Sequence, residues 1–198
     1  AYGRDELMEL LVHIGLPKTG STNYNRYLKS RLPKEVLLLN KTGRLPSTLR
    51  GFDRARPNYW IDEKRGDQSL FLRKIDEAAS RGVQKVILRD GDFSLLTDLD
   101  GLPELFASFD DVAILFSVRQ QSHFIESYFN QLQKGFGTFS TIDVFLRYLE
   151  SLDYLDWYRK ASLWAEYFGK KNIRLLVFDK PLFSRGVLKS YLEALGVS

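Results

Sequence analysis

Four short apolar runs, separated by segments of helical periodicity, restrict the folds open to this chain. They lie at 10–14, 83–88, 112–118 and 173–178. Each run is mostly apolar and contains β-branched residues, as in parallel strands that are covered on both faces. Because strands that alternate with helices form βαβ units, the pattern predicts an α/β fold in three layers, with an open, mostly parallel sheet flanked by helices.

Six helical segments are predicted from apolar residues that recur at spacings of three and four. Gly169 and Gly196 follow the last two segments and stand where helix stops are expected. A chain of 198 residues without internal repeats or low-complexity stretches is expected to form one domain over 1–198. The predicted helices span 21–32, 68–80, 123–134, 142–151, 154–168 and 183–195.

Composition restricts the chemistry. The chain has 29 Lys and Arg against 25 Asp and Glu, a net charge of +4 that favours a small anionic ligand over nucleic acid. It has no Cys, which excludes disulfides, thiolate zinc sites and cysteine nucleophiles. No cluster of metal ligands is evident, so no metal site is predicted. No apolar run approaches the roughly 18 residues of a membrane span. Trp60, Trp157 and Trp164 are predicted to be core or pocket walls rather than a stacking platform for bases.

The segment after the first run has the residues of an anion-binding loop. Gly15 and Gly20 have the spacing of the triphosphate loop G-x-x-x-x-G-K-[ST], and Thr22 occupies its hydroxyl position. Ser21 stands where that loop has its lysine, and Lys18 lies inside the loop instead. A glycine-bearing loop that opens a helix presents unpaired backbone N–H groups to an anion. We therefore predict a phosphate-like ligand with Lys18 reaching over it, the alternative being a solvated lysine beside a helix-capping serine.

A second anion site is predicted after the third run. Arg119 directly follows that run, where a guanidinium can hold a phosphate through two hydrogen bonds. In the helix that follows, Ser127 lies on a polar stripe and can face the ligand crevice together with Arg119. An arginine after a strand is usually a surface ion pair, so the informative observation is the combination of two anion sites. The stripe comprises His123, Ser127, Asn130 and Lys134, and the apolar stripe comprises Ile125, Phe129 and Leu132.

Two other features have both a structural and a functional interpretation. His13 lies within the first run, and a strand histidine is more often a hydrogen-bonded core residue than a catalytic one, so a structural role is predicted. The basic segment 41–56 is predicted to be a solvated loop, and an acceptor site for an acidic glycan is the alternative.

Together the two anion sites resemble those of the sulfotransferases. The resemblance is carried by Pro17-Lys18-Thr19-Gly20-Ser21-Thr22 and by Arg119 and Ser127, eight residues apart. It implies a fold like that of P-loop NTPases and transfer of a sulfuryl group from 3′-phosphoadenosine 5′-phosphosulfate (PAPS), with adenosine 3′,5′-bisphosphate (PAP) as product. It also implies that the loop holds the 5′-phosphosulfate, that Lys18 assists the departing phosphate, and that Arg119 and Ser127 hold the 3′-phosphate.

The chain departs from that family where a catalytic base is expected. Family members place a Glu or His near the ligand, and many bacterial relatives have a Ser-Ser-Glu-like stretch after the second strand. Here the stretch is Arg89-Asp90-Gly91-Asp92, with Gly91 at the glutamate position. The candidate bases are therefore Asp90, Asp92 and His123. The chain also ends where relatives continue into a segment that encloses the nucleotide, which implies a trimmed C-terminus or an incomplete pocket.

The resemblance implies partners of limited kinds. The acceptor is expected to be a hydroxyl or amine of a small molecule or glycan, and neither nucleic acid nor a membrane span is expected. A bacterial cytoplasmic enzyme is expected, or a Golgi lumenal one if the chain is trimmed from a eukaryotic protein. The acceptor's identity and the oligomeric state stay open.

Two other functions stay open. One is a P-loop kinase or NTPase, because 86–90 faintly resembles the strand and acidic residue that hold magnesium in those proteins. The missing lysine after Gly20 argues against it. The other is a non-catalytic module that binds a phosphonucleotide but has lost its base, since a fold alone does not establish an activity.

Overall fold

The protein's structure, a computed structural model, describes residues 7–15, 32–40, 65–89, 93–94, 96, 98–136, 139–151, 154–179 and 186–197. In those ranges the strands are β1 (Glu9–Gly15), β2 (Val36–Asn40), β3 (Lys85–Arg89), β4 (Asp111–Arg119) and β5 (Ile173–Phe178). The helices are α1 (Arg65–Ala79), α2 (Leu102–Phe106), α3 (Gln121–Phe136), α4 (Ile142–Ser151), α5 (Trp157–Phe168) and α6 (Val187–Leu195), and a short 3₁₀ helix (Lys170–Asn172) precedes β5.

The sheet has five strands in the order β2-β3-β1-β4-β5, and every neighbouring pair is parallel. This confirms the α/β fold predicted from the four apolar runs. From β1 the chain passes to the edge strand β2, whereas from β4 it passes to the opposite edge strand β5. The segments after the neighbours β1 and β4 thus lead apart, and ligands in such sheets bind in the crevice that this divergence leaves.

Both faces of the sheet are covered along β1, β3 and β4, as their apolar runs predicted, whereas β5 leaves Leu175 and Val177 exposed on one face, contrary to the prediction. Alternate residues of β1 point to opposite faces because the side-chain period of a strand is two. Leu10, Val12 and Ile14 pack on one face in a cluster that includes Ile75 of α1 and Trp164 of α5. On the other face Leu11 packs in a cluster that includes Ile87, Leu115 and residues of α6, namely Tyr191 and Leu195. The fold therefore has three layers.

A third apolar cluster holds α3 against α4. Phe124, Phe145 and Leu149 are fully buried in it, with Tyr154 beside them. The predicted apolar stripe of α3 does pack here, but its deepest residue is Phe124, which the prediction left out. The amide of Gln121 also donates to the backbone oxygen of Leu155 at 2.8 Å. These contacts fix the orientation of the helix that carries Ser127.

Some predicted boundaries are wrong. The helix predicted from 154 begins at Trp157, because the Asp156 carboxylate caps it by accepting from the backbone N–H of Arg159 at 2.8 Å. Gly169 ends this helix with φ of 85°, and Gly196 ends α6 with φ of 63°, as predicted for both glycines. The strand β2 and the five-residue helix α2 were not predicted, and the predicted helix at 21–32 falls almost wholly outside the described residues.

Of the helices that are described, none combines the length and the hydropathy needed to cross a membrane.

Candidate functional site

The carboxyl ends of β3, β1 and β4 lie side by side at one edge of the sheet. His13 of β1 is in register with Arg89, the last residue of β3. Gly15, the last residue of β1, is in register with Ser117, and β4 continues to Arg119. The segment that follows β1 therefore starts between two strands that each end in an arginine.

Several predicted site residues lie outside the described part of the chain. These are the loop Pro17, Lys18, Thr19, Gly20, Ser21 and Thr22, the candidate bases Asp90 and Asp92, and the basic segment 41–56. The structure does fix the strand ends from which two of these segments leave, since β1 ends at Gly15 and β3 at Arg89. The roles predicted for these residues stay predictions.

Arg119 and Ser127 belong to one continuous β4–α3 unit. Arg119 ends β4 and is half-buried, and α3 begins two residues later at Gln121. Ser127 is also half-buried, whereas His123, Asn130 and Lys134 on the same stripe are exposed. The intermediate burial of Arg119 and Ser127 is typical of side chains at a crevice wall. His123 is exposed, and this neither supports nor contradicts its predicted role as a base, which stays a prediction.

A cluster of four polar side chains lies beneath the end of β1, and we call it the β1-end cluster: His13, Arg89, Ser117 and Tyr191. The His13 imidazole is fully buried, with Nε2 2.7 Å from Ser117 Oγ. The Tyr191 hydroxyl donates to the same Ser117 oxygen at 3.1 Å. The rings of His13 and Tyr191 meet edge to face, with centroids 5.5 Å apart. The cluster thereby joins β1, β4 and α6.

Arg89 gives this cluster its charge. Its side chain is only 7% exposed. A Cβ placed on Gly15 would lie 3.7 Å from Arg89 Nη2 and equally far from His13 Nε2. Burial, together with the charge of Arg89, holds the pKa of His13 well below its usual 6.5. His13 is therefore a neutral donor or acceptor at neutral pH, next to a buried cation.

A cavity of about 740 Å³ opens between the end of β4 and the start of α5. Its walls include Val118, Arg119, Gln121, Leu155 and Trp157. A volume in the range of about 300–1,000 Å³ is usual for pockets that hold small organic molecules. The prediction that Trp157 and Trp164 form pocket wall or core is confirmed, since Trp164 is 1% exposed in the core.

Sequence reasoning identified Arg119 but missed the β1-end cluster as a unit. Arg89 was noted only within the stretch 86–90 and the Arg-Asp-Gly-Asp stretch, although a charged residue directly after an apolar run was itself a signal. Ser117 was the corresponding polar residue inside the third run. His13 is hydrogen-bonded in the core, as predicted, yet it lies at the edge of the sheet where ligands bind.

Neither protein-family models nor curated protein sequences match the chain. Among solved structures it is similar to a sulfotransferase from Alicyclobacillus acidocaldarius, with a TM-score of 0.59 over 95% of this chain and 81% of that one. The chain has a sulfotransferase-like fold. The sequences are 17% identical, so the likeness extends to the fold alone.

Two further solved structures are similar. Mouse sulfotransferase SULT7A1 complexed with PAP matches with a TM-score of 0.50 and 19% identity over 99% of this chain. This chain spans 60% of the mouse protein, less than two thirds of its length. Thymidylate kinase from Candida albicans matches with a TM-score of 0.45 and 11% identity, over 96% of this chain and 94% of that chain. A TM-score below 0.5 carries no argument for a kinase activity.

Proposed function

We propose that this chain is a sulfotransferase that uses PAPS as the sulfuryl donor and a hydroxyl or amine of a small molecule or glycan as the acceptor. The observation that carries the proposal is the pairing of β1 with β4. It brings the end of β1, which the segment containing Lys18 follows in the sequence, next to the strand end that carries Arg119. A nucleotide with anionic groups at both its 3′ and 5′ positions needs two such anion-binding elements close together.

The side chains at this edge of the sheet suit a ligand with several negative charges. Arg119 and Arg89 end the two strands that flank β1, and both side chains are at least partly shielded from water. A guanidinium binds phosphate oxygens in pairs and does not lose its proton, so it remains a fixed positive charge. Under the proposal Arg119 and Ser127 hold the 3′-phosphate, and the loop Pro17-Lys18-Thr19-Gly20-Ser21-Thr22 holds the 5′-phosphosulfate.

When bound, PAPS supplies a sulfuryl group attached to a phosphate that can leave. Under the proposal the Lys18 ammonium would stabilise the negative charge that grows on the bridging oxygen as the sulfur–oxygen bond breaks. Preplaced donors of this kind contribute about 2.7–4 kcal/mol each to stabilising a transition state. One of Asp90, Asp92 and His123 takes the proton of the attacking hydroxyl or amine as its bond to sulfur forms. The loop and the arginines keep both ends of the nucleotide fixed during this displacement.

Calorimetric titration with PAP, with and without magnesium, tests the proposal. We expect binding that does not depend on magnesium, and no binding of ATP in its place. Arg147→Ala is a control variant that should bind PAP as the unaltered chain does, because Arg147 is exposed on α4 and has no part in the proposed site.

Each alternative function has its own outcome. Magnesium-dependent binding of ATP without binding of PAP would replace the proposal with a kinase or NTPase. Metal-independent binding of PAP with no transfer to any hydroxyl or amine acceptor would favour the non-catalytic module.

A further inference from the structure

One buried polar atom in the β1-end cluster has no role in the proposed function so far. His13 Nδ1 is shielded from water, and no described residue is its hydrogen-bond partner. The opposite ring nitrogen, Nε2, is paired with Ser117. Buried donors and acceptors are nearly always paired, so an orphan of this kind calls for an explanation such as a bound group.

The hydrogen bonds of Ser117 determine where the imidazole carries its proton. Tyr191 donates to Ser117 Oγ, so the single proton of the Ser117 hydroxyl remains to be donated. His13 Nε2, 2.7 Å away, is the acceptor that the described residues offer it. A neutral imidazole that accepts at Nε2 carries its hydrogen on Nδ1. The unpaired atom is therefore an N–H donor.

The ring that carries this donor lies near a buried cation, at the end of the sheet where the proposed ligand binds. Arg89 Nη2 and the His13 ring both come within 3.7 Å of the position that a Cβ on Gly15 would take. Gly15 leaves that position empty, immediately before the loop that contains Lys18. A neutral N–H adds a second donor without adding a second positive charge that would repel Arg89.

We propose that His13 Nδ1–H and the Arg89 guanidinium form a buried anion subsite beside Gly15, the last residue of β1. Its ligand is a phosphate or sulfate oxygen, and in the proposed function, on which this assignment of the ligand rests, it is the 5′-phosphosulfate end of the nucleotide. Ser117 and Tyr191 act through His13 as positioning residues, because they fix which nitrogen of its ring carries the hydrogen.

Two substitutions of His13 separate a ligand contact from a purely structural role. In His13→Asn the side-chain amide reaches the place of Nδ1 and loses the contact with Ser117. In His13→Gln the amide reaches the place of Nε2 and loses the donor to the ligand. We expect His13→Asn to bind PAP within a few-fold of the unaltered chain and His13→Gln to bind about tenfold or more weakly. The reverse order, or equal affinities for the two variants, overturns the subsite.

Substitutions of the two arginines assign the subsite to one end of the nucleotide. Arg89→Gln is expected to weaken binding of adenosine 5′-phosphate and to leave adenosine 3′-phosphate unaffected. Arg119→Gln is expected to do the opposite. Equal effects of Arg89→Gln on both ligands contradict the subsite, whatever Arg119→Gln does.

A measurement on the unaltered chain remains decisive if the variants fail to fold. The protein has two histidines, so ¹⁵N NMR of the imidazoles, assigned with His123→Gln, resolves His13. We expect the Nδ1–H tautomer, and a shift of that resonance when sodium sulfate replaces sodium chloride at constant ionic strength. An Nε2–H tautomer, or a resonance unmoved by both sulfate and PAP, overturns the subsite. If sulfate shifts the resonance but no nucleotide binds, the subsite is retained and the proposed function is refuted. If PAP binds but neither PAP nor sulfate moves the resonance, the proposed function is retained and the subsite is refuted.

Discussion

Arg119 lies at the end of the strand that pairs with β1, half-buried, with α3 beginning two residues later. If it holds the 3′-phosphate, Arg119→Ala removes the group that distinguishes PAP from adenosine 5′-phosphate. The affinity for PAP should fall towards that for adenosine 5′-phosphate, which itself should hardly change. Calorimetry with both nucleotides measures the preference, and Arg147→Ala should retain it. A loss of affinity of the same size for both nucleotides would mean that Arg119 contacts a part of the nucleotide other than the 3′-phosphate.

Lys18 is predicted to act on the bond that breaks rather than on the nucleotide as a whole. Lys18→Ala should therefore abolish sulfuryl transfer while weakening PAP binding only slightly, since the arginines and the loop N–H groups remain. Parallel assays of turnover and of PAP affinity separate the two effects. Lys34→Ala is the control, because that side chain is exposed and its Glu35 partner is 3.9 Å away. Unchanged turnover in Lys18→Ala would refute the role.

The catalytic base is predicted to be one of three residues. Asp90→Asn, Asp92→Asn and His123→Gln each remove one group that can take the acceptor's proton. The variant that lacks the base should transfer the sulfuryl group about 10²-fold more slowly, with its PAP affinity unchanged. Turnover at saturating PAP measures this. Full activity in all three variants would mean that the base lies elsewhere in the chain.

Among the elements, those that could be predicted from the sequence are the ones whose period is unambiguous. The runs around β1 and β4 are apolar on both faces because both strands are buried in the middle of the sheet. The edge strand β2 reads Val-Leu-Leu-Leu-Asn, and leucine is as common in helices as in strands, so its period indicates neither. The helix α2 has five residues, too few to show a period. An element was therefore predictable where its residue types favour one structure and its length is enough to show the pattern.

The start of α5 shows how one side chain can outweigh a periodic pattern. Apolar spacing extends the helix back to 154, but Asp156 accepts from the N–H of Arg159 and begins the helix at Trp157. Asp156→Ala should lower the free energy of unfolding by about 1 kcal/mol, because the cap is lost. Asp156→Asn should retain most of that stability, since Asn caps equally well. Urea unfolding compares the two, and equal loss would mean that charge, not the cap, is what Asp156 provides.

At the scale of the whole molecule, topology supplied what the local sequence could not. The residues of each anion site could be recognised locally, since Lys18 follows a strand-like run and Arg119 directly follows another. That β1 and β4 are neighbours depends on the order of all five strands, which no local spacing encodes. The β1-end cluster was missed for the same reason, since its members come from β1, β3, β4 and α6, and the hydrogen-bonded pair His13 and Ser117 is 104 residues apart. A site assembled across the sheet becomes visible only with the sheet.

The same cluster couples the stability of the whole molecule to pH. Burial and the nearby charge of Arg89 hold the pKa of His13 well below its usual 6.5 in the folded state. In the unfolded chain His13 takes up a proton near the usual value, so below about pH 6.5 the unfolded state binds more protons than the folded one. The free energy of unfolding therefore has its full value, as far as His13 is concerned, above about pH 6.5. It decreases as the pH falls below that value.

His13→Gln should remove this decrease, because the variant has nothing to protonate at that position. Urea unfolding at several values between about pH 7.5 and about pH 5.5 covers the range in which histidine, and hardly any carboxylate, titrates in an unfolded chain. Over this range the free energy of unfolding should fall more steeply in the unaltered chain than in His13→Gln. His123→Gln is the matched control, since it removes the exposed histidine of α3 and should keep the steeper slope. Equal slopes in the unaltered chain and His13→Gln would mean that His13 takes up its proton at the same pH in the folded and the unfolded state, and would contradict the lowered pKa.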